Sequence, residues 1–220
     1  MLGGEQRFAA GSLVIARYDV GKGVEHSRRR CRFSKHTEPT PDMFDLVRLP
    51  PELDSLLREM NPWWGRLPAK KVPGYRRIAF ERVLRYVKAG PAAITVLRGP
   101  RQVGKSTIQN QVIEHLLELD RVEPWRILRV QFDELEAFRK LRHPVHEFVR
   151  WYQSRIAKKT LNEAARANTP VYLLLDEVQN LPEWAPELKS LVDHNDVRVL
   201  VTGSSALRIE AGRDSLAGRI

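Results

Sequence analysis

Residues Gly99–Ser106 read GPRQVGKS, and this octapeptide stands between Ala93-Ile94-Thr95-Val96-Leu97 and a segment in which Ile108, Val112, Leu116 and Leu119 recur at helical spacing. The run before it is short, apolar and β-branched, as expected of a strand buried on both faces of a parallel sheet. Strand, glycine loop and helix are the three parts of a phosphate cradle of the pattern G-x-x-x-x-G-K-[ST]. Gly99 and Gly104 permit backbone conformations and close approaches that a Cβ would block, so successive N–H groups can turn inward toward phosphate oxygens. The following helix adds its positive end. The expected cradle comprises Gly99, Pro100, Arg101, Gln102, Val103, Gly104, Lys105, Ser106 and Thr107. In it Lys105 reaches the β- and γ-phosphates, the Ser106 hydroxyl completes the coordination of Mg2+, and Thr107 lines the α-phosphate side.

A second buried-strand run, Val171-Tyr172-Leu173-Leu174-Leu175, ends in Asp176-Glu177. Ligands of open α/β sheets bind at the carboxyl ends of the strands, so both carboxylates fall where a nucleotide would lie. Asp176 is expected to hold Mg2+, and Glu177 to polarise the water that attacks the γ-phosphate. A third run, Val197-Arg198-Val199-Leu200-Val201, precedes Thr202-Gly203-Ser204-Ser205. Thr202 and Ser204 could hydrogen-bond the γ-phosphate or the attacking water; a Ser/Thr turn capping the next segment is the other reading.

The strings NPWW, GPRQVGKST, LLLDEVQNLPEW, VTGSSA and LAGR, spread over Leu49 to Ile220, resemble the prokaryotic AAA-type ATPases of the P-loop superfamily. The resemblance implies an α/β three-layer sandwich of the additional-strand, catalytic-glutamate class. Its mainly parallel sheet has strand order 5-1-4-3-2 and a sensor residue after the fourth strand. It implies ATP and Mg2+ as cofactors, and a second, C-terminal domain of nuclease-like or DNA-associated character, before which this chain stops. An arginine near the γ-phosphate is also expected; Arg213 and Arg219 lie in the right region, with Arg219 of the LAGR string preferred.

Four strand-like runs can be counted: 93–97, 126–132, 171–175 and 197–201. The fifth is therefore expected to be missing, which would leave the phosphate-loop strand as a bare apolar edge and the isolated chain prone to aggregation or only marginally stable. The expected divisions are a basic, poorly ordered extension over 1–41, an N-terminal helical segment packed on the core over 42–91, and the ATPase core over 92–220.

Composition sets the outer limits. The 220 residues are 42% hydrophobic and 29% charged, an ordinary globular balance, and no apolar stretch approaches the ~20 residues that span a bilayer. The Leu13-Val14-Ile15 run is too short for a secretory signal, and a single cysteine, Cys31, precludes an internal disulfide; a cytoplasmic location is the expectation. The formal charge of +10 is concentrated before residue 91, where 18 Lys+Arg face 10 Asp+Glu. Its densest run, Arg28-Arg29-Arg30-Cys31-Arg32, could meet nucleic-acid phosphates or form a solvated tail.

Elsewhere, Leu53, Leu56, Leu57 and Met60 mark a helix face ended by Asn61-Pro62, and Phe80, Val83, Leu84 and Val87 mark another closed by Gly90-Pro91. Trp63-Trp64 reads as a clamp holding the N-terminal segment to the core rather than a base-stacking platform. Arg76 and Arg77 could approach the nucleotide or remain in a solvated first turn. Pro144 opens a helix whose Val145, Phe148, Val149, Tyr152 and Ile156 form a core stripe, and His143 with His146 lacks a third metal ligand. Leu188, Leu191 and Val192 suggest a short helix before the last strand.

Two functions from different classes follow. One is an ATPase driving an attached domain, possible as a monomer or a homo-oligomer; the other is a nucleotide-dependent switch or nucleic-acid-binding module with little turnover. A kinase is disfavoured because no acceptor-site motif accompanies the loop, and a GTPase because no N-K-x-D string occurs.

Overall fold

The computed structural model describes residues 14–18, 49–90, 92–133, 138 and 141–204. The Arg28–Arg32 run, Cys31, Ser205, Arg213 and Arg219 lie outside the described residues. Strands β1 (Val14–Tyr18), β2 (Ile94–Gly99), β3 (Ile127–Gln131), β4 (Tyr172–Asp176) and β5 (Arg198–Ser204) form one sheet in the order β1-β2-β5-β4-β3. The helices are α1 (Pro51–Met60), α2 (Ile78–Ala89), α3 (Lys105–Glu118), α4 (Pro144–Tyr152), α5 (Leu161–Arg166) and α6 (Trp184–His194).

β2, β5, β4 and β3 are mutually parallel. Counted from the phosphate-loop strand, their order is the expected 1-4-3-2. Because side chains alternate across a sheet, each strand divides its apolar residues between two cores. Ile94, Val96, Leu128, Val130, Leu173, Leu175, Val199 and Val201 pack against α1, α4 and α6. Leu97, Ile127, Tyr172, Leu174 and Leu200 pack on the opposite side against α2 and α3. The result is a three-layer α/β sandwich.

One edge departs from expectation. Where the sequence reading leaves the phosphate-loop strand bare, β1 pairs with it antiparallel, from Val14 opposite Arg98 to Tyr18 opposite Ile94. Part of the extension expected to be poorly ordered is therefore sheet, and the basis for expecting an aggregating edge falls away. The partner of Val14-Ile15-Ala16-Arg17-Tyr18 is a strand about 80 residues away, which no pattern within so short a run announces.

The other edge is closed by side chains. The outward backbone groups of β3 belong to residues 127, 129 and 131. Ile127 O accepts both indole N–H groups of Trp63 and Trp64, at 3.1 and 3.0 Å. Asn61 pairs with Arg129 as a strand would: Arg129 N donates to Asn61 Oδ1 at 2.7 Å and Asn61 Nδ2 donates to Arg129 O at 2.8 Å. Gln131 N donates to Met60 Sδ at 3.4 Å. The segment Met60-Asn61-Pro62-Trp63-Trp64 thus satisfies a sheet edge without adding a strand, and both tryptophans serve packing.

Candidate nucleotide site

The phosphate loop joins β2 to α3. Gln102 and Gly104 both have positive φ, 61° and 86°, and Gly104 stands at the N-terminus of α3, where Ile108 N–H returns to its carbonyl at 3.0 Å. No side chain caps α3 and no acidic residue occupies its first turn. Its leading N–H groups and dipole end therefore remain available to an anion. A Cβ added at Gly104 would lie 3.4 Å from Arg77 Nε, so the Arg77 guanidinium rests against the loop, whereas Arg76 stacks over Phe80 at 4.5 Å from the ring centroid. The sequence could not separate these two arginines; the entry to α2 does.

Lys105 is only 3% exposed. Its ammonium donates to the carbonyls of Gly99 at 3.2 Å and Pro100 at 2.9 Å, and lies 3.7 Å from Glu177 Oε1. Three oxygens balance a buried charge at the point where the loop turns. Ser106 and Thr107 follow, half-buried, on the first helical turn, while Pro100, Arg101 and Gln102 are exposed.

β4 is buried along its whole length and delivers Asp176 to the carboxyl end of the sheet with no solvent exposure. Strand alternation places Asp176, Thr202 of β5 and Arg129 of β3 on the α3 face. The Thr202 hydroxyl donates to Asp176 Oδ1 and accepts the Glu177 N–H at 3.2 Å, so its single proton is spent on the carboxylate. Arg129 Nη2 lies 3.4 Å from Asp176 Oδ2. The same guanidinium donates to Gln131 Oε1 at 2.6 Å and to Gln109 Oε1 at 3.4 Å, and Gln131 continues the chain to Asp133 at 2.5 Å. Burial pulls the Arg129 pKa below the ordinary arginine value, an effect opposed by Asp176.

Glu177 adopts a left-handed backbone, φ 53°, which turns its side chain away from the strand axis toward Lys105. Gln179 Nε2 donates to its other carboxylate oxygen. Ser204 ends β5 directly beside Gly99, so β5 brings one sequence-predicted hydroxyl to the acidic pair and the other to the start of the loop.

Sequence reasoning missed Arg129, Gln109 and Gln131. The available signal was a lone arginine inside the otherwise apolar Ile127–Val130 run, in phase with the inward-facing Ile127. His143 and His146 lie elsewhere. His143 Nδ1 is 4.0 Å from Glu187 Oε1, and the other Glu187 oxygen accepts N–H groups of Val145 and His146 at 2.8 and 3.4 Å. Among the described residues no group of three His, Cys, Asp or Glu could hold a metal ion. A cavity of about 590 Å³ opens in that region, lined by Phe138, Leu141, His143, His146, Leu181 and Glu187, and no phosphate-loop residue borders it.

The donor set at the loop fits a magnesium nucleotide. The Ser106 hydroxyl and the fully buried Asp176 carboxylate offer oxygen atoms of the kind magnesium takes, and a caged ammonium with uncapped helix N–H groups offers charge complementary to phosphate. A glycine loop entering a helix from one parallel strand, with a carboxylate pair closing another strand two places away, defines a P-loop NTPase-like fold.

The chain belongs to the AAA domain family, which it matches over residues 92–220. Nucleotide binding of the ATPase type is the activity this membership carries. The chain is also 32% identical over 135 residues to an uncharacterized protein of Methanocaldococcus jannaschii, a match covering 61% of this chain and 26% of that protein. The chain thus corresponds to about a quarter of that relative's length. Among the described residues, no helix is long and apolar enough to cross a membrane.

Proposed function

We propose that the chain binds MgATP between the phosphate loop and the Asp176-Glu177 pair, hydrolyses it to ADP and phosphate, and passes the cycle to an attached domain or partner. The observation that carries this reading is the 3.7 Å approach of Glu177 Oε1 to the Lys105 ammonium. It sets a partly exposed carboxylate beside the group that would grip the β- and γ-phosphates.

Backbone N–H groups of the loop and of the first turn of α3 would bind the phosphates. Lys105 would exchange the Gly99 and Pro100 carbonyls for β- and γ-oxygens. Ser106 and Asp176 would hold Mg2+, whose chemistry when bound is to neutralise phosphate charge and order those oxygens. Glu177 would accept a proton from water as the water oxygen bonds to the γ-phosphorus and the bond to the bridging oxygen of ADP breaks. Thr202 would orient Asp176 and the Glu177 turn, and Ser204 would face the loop from the end of β5. Arg219 or Arg213 would supply the transition-state arginine.

Phosphate release from MgATP, with nucleotide binding followed on the same samples, tests the reading. Glu177→Gln is expected to bind like the wild type while turnover falls about 100-fold or more, within the usual range for a general base. Turnover that survives this change would remove Glu177 from the mechanism. A second reading, a slowly cycling switch, draws on the Gln179 bond to Glu177, which occupies one carboxylate oxygen in the resting state. It predicts binding with negligible turnover in both proteins.

A further inference from the structure

The Asp176 carboxylate has no solvent contact, and its two partners are the Thr202 hydroxyl and the Arg129 guanidinium. A hydroxyl carries no charge, so the ionic counterpart of this carboxylate is Arg129. That arginine comes from the far edge strand, three strands from the phosphate loop. It is held more closely by Gln131, at 2.6 Å, than by Asp176, at 3.4 Å, and Gln109 at 3.4 Å fixes its third side. Its backbone N–H and carbonyl are clamped by Asn61. Arg129 is thus braced from four directions, with one nitrogen facing Asp176 Oδ2 from the side of β4 away from the phosphate-loop strand.

We infer that Arg129 is a positioning residue that fixes the Asp176 carboxylate from the β3 side and, by competing for it, admits a divalent cation only together with nucleotide. Two cations sharing one buried carboxylate repel each other. Bare metal must overcome that repulsion unaided, whereas metal bound to nucleotide brings phosphate charge that offsets it. The Gln131 and Gln109 bonds let the guanidinium stay in place when its Asp176 contact lengthens. The inference rests on the magnesium-nucleotide reading of the site and adds to it an order of loading.

The test is a Mn2+ titration of the full chain, with free Mn2+ followed by its paramagnetic resonance signal, in the absence and presence of ATP. Arg129→Gln is expected to raise the affinity of the nucleotide-free protein for Mn2+ about tenfold or more, and Arg129→Gln with Asp176→Asn to abolish that gain. Arg129→Lys keeps the charge and is expected to stay within about threefold of the wild type, which keeps the idea testable should the glutamine variant fold poorly. An unchanged or weakened Mn2+ affinity in Arg129→Gln, or a tenfold gain in Arg129→Lys, overturns the inference while leaving the nucleotide site intact. Failure of the wild type to bind Mn2+ with ATP overturns the parent reading and this one together.

Discussion

Replacing Asn61 with alanine probes the side-chain edge of the sheet more sharply than any core truncation. Asn61 is fully buried, and its amide makes three bonds to main-chain groups: Arg129 O at 2.8 Å, Arg129 N at 2.7 Å and Leu57 O at 2.7 Å. A net hydrogen bond contributes about 1 kcal/mol, and a buried group left without a partner costs roughly 1–3 kcal/mol. Asn61→Ala is therefore expected to cost about 3 kcal/mol, allowing water to rescue part of the orphaned edge. Against a typical total of about 5–15 kcal/mol that is a large loss. In urea, with a slope of about 2.5 kcal/mol per M, the midpoint should fall by about 1.2 M at unchanged slope. Hydrogen exchange supplies a local readout, because the Arg129 amide should lose protection ahead of the amides of β4. A loss under about 1 kcal/mol with the Arg129 amide still protected would show that Asn61 does not close this edge.

Three further outcomes are expected. Thr202→Val removes the donor to Asp176 and the acceptor of the Glu177 N–H, so about 2–3 kcal/mol of stability should be lost and the metal dependence of nucleotide binding should shift to higher concentration; Thr202→Ser should restore both. Gly104→Ala forces a Cβ onto a residue at φ 86°, at a cost of about 1–2 kcal/mol, and should weaken ATP binding about tenfold in equilibrium dialysis. Arg77→Ala should not rescue it if backbone conformation is the cause. His146 has its pKa held below the usual 6.5 by burial first, then by His143, Arg150 and His194. The unfolded chain thus binds more protons just below pH 6.5, and stability falls as pH drops from 6.5 toward the folded value. Melting temperatures near pH 7.5 and 5.5 should therefore differ less in His146→Gln than in the wild type.

What the sequence made legible was carried by short, self-contained signals. Gly99–Ser106 needs only its own glycines and lysine to be read, and the runs ending at Asp176 and Val201 announce buried parallel strands by their apolar content. Even so, a readable start was missed: Thr160 and Glu163 form a capping box that opens α5. The illegible features are all long-range. β1 becomes a strand only because Ile94–Arg98 is there to receive it, and Asn61 becomes an edge group only because Arg129 lies 68 residues away. Arg129 stands out in the sequence only as a lone charge in the Ile127–Val130 run, and its partner emerges once the register of β3 on β4 brings it to Asp176.

The left-handed turn at Glu177 has a cost that falls on folding alone. A non-glycine residue at φ 53° is held about 1 kcal/mol or more above what glycine or asparagine would need there. A selection or design procedure rewarding thermal robustness alone would replace Glu177 early and return a sturdier chain without the carboxylate that faces Lys105. Tolerance of this residue at that bend is therefore a gauge of purpose: on the proposed reading, libraries screened for solubility and libraries screened for nucleotide turnover should diverge at this codon.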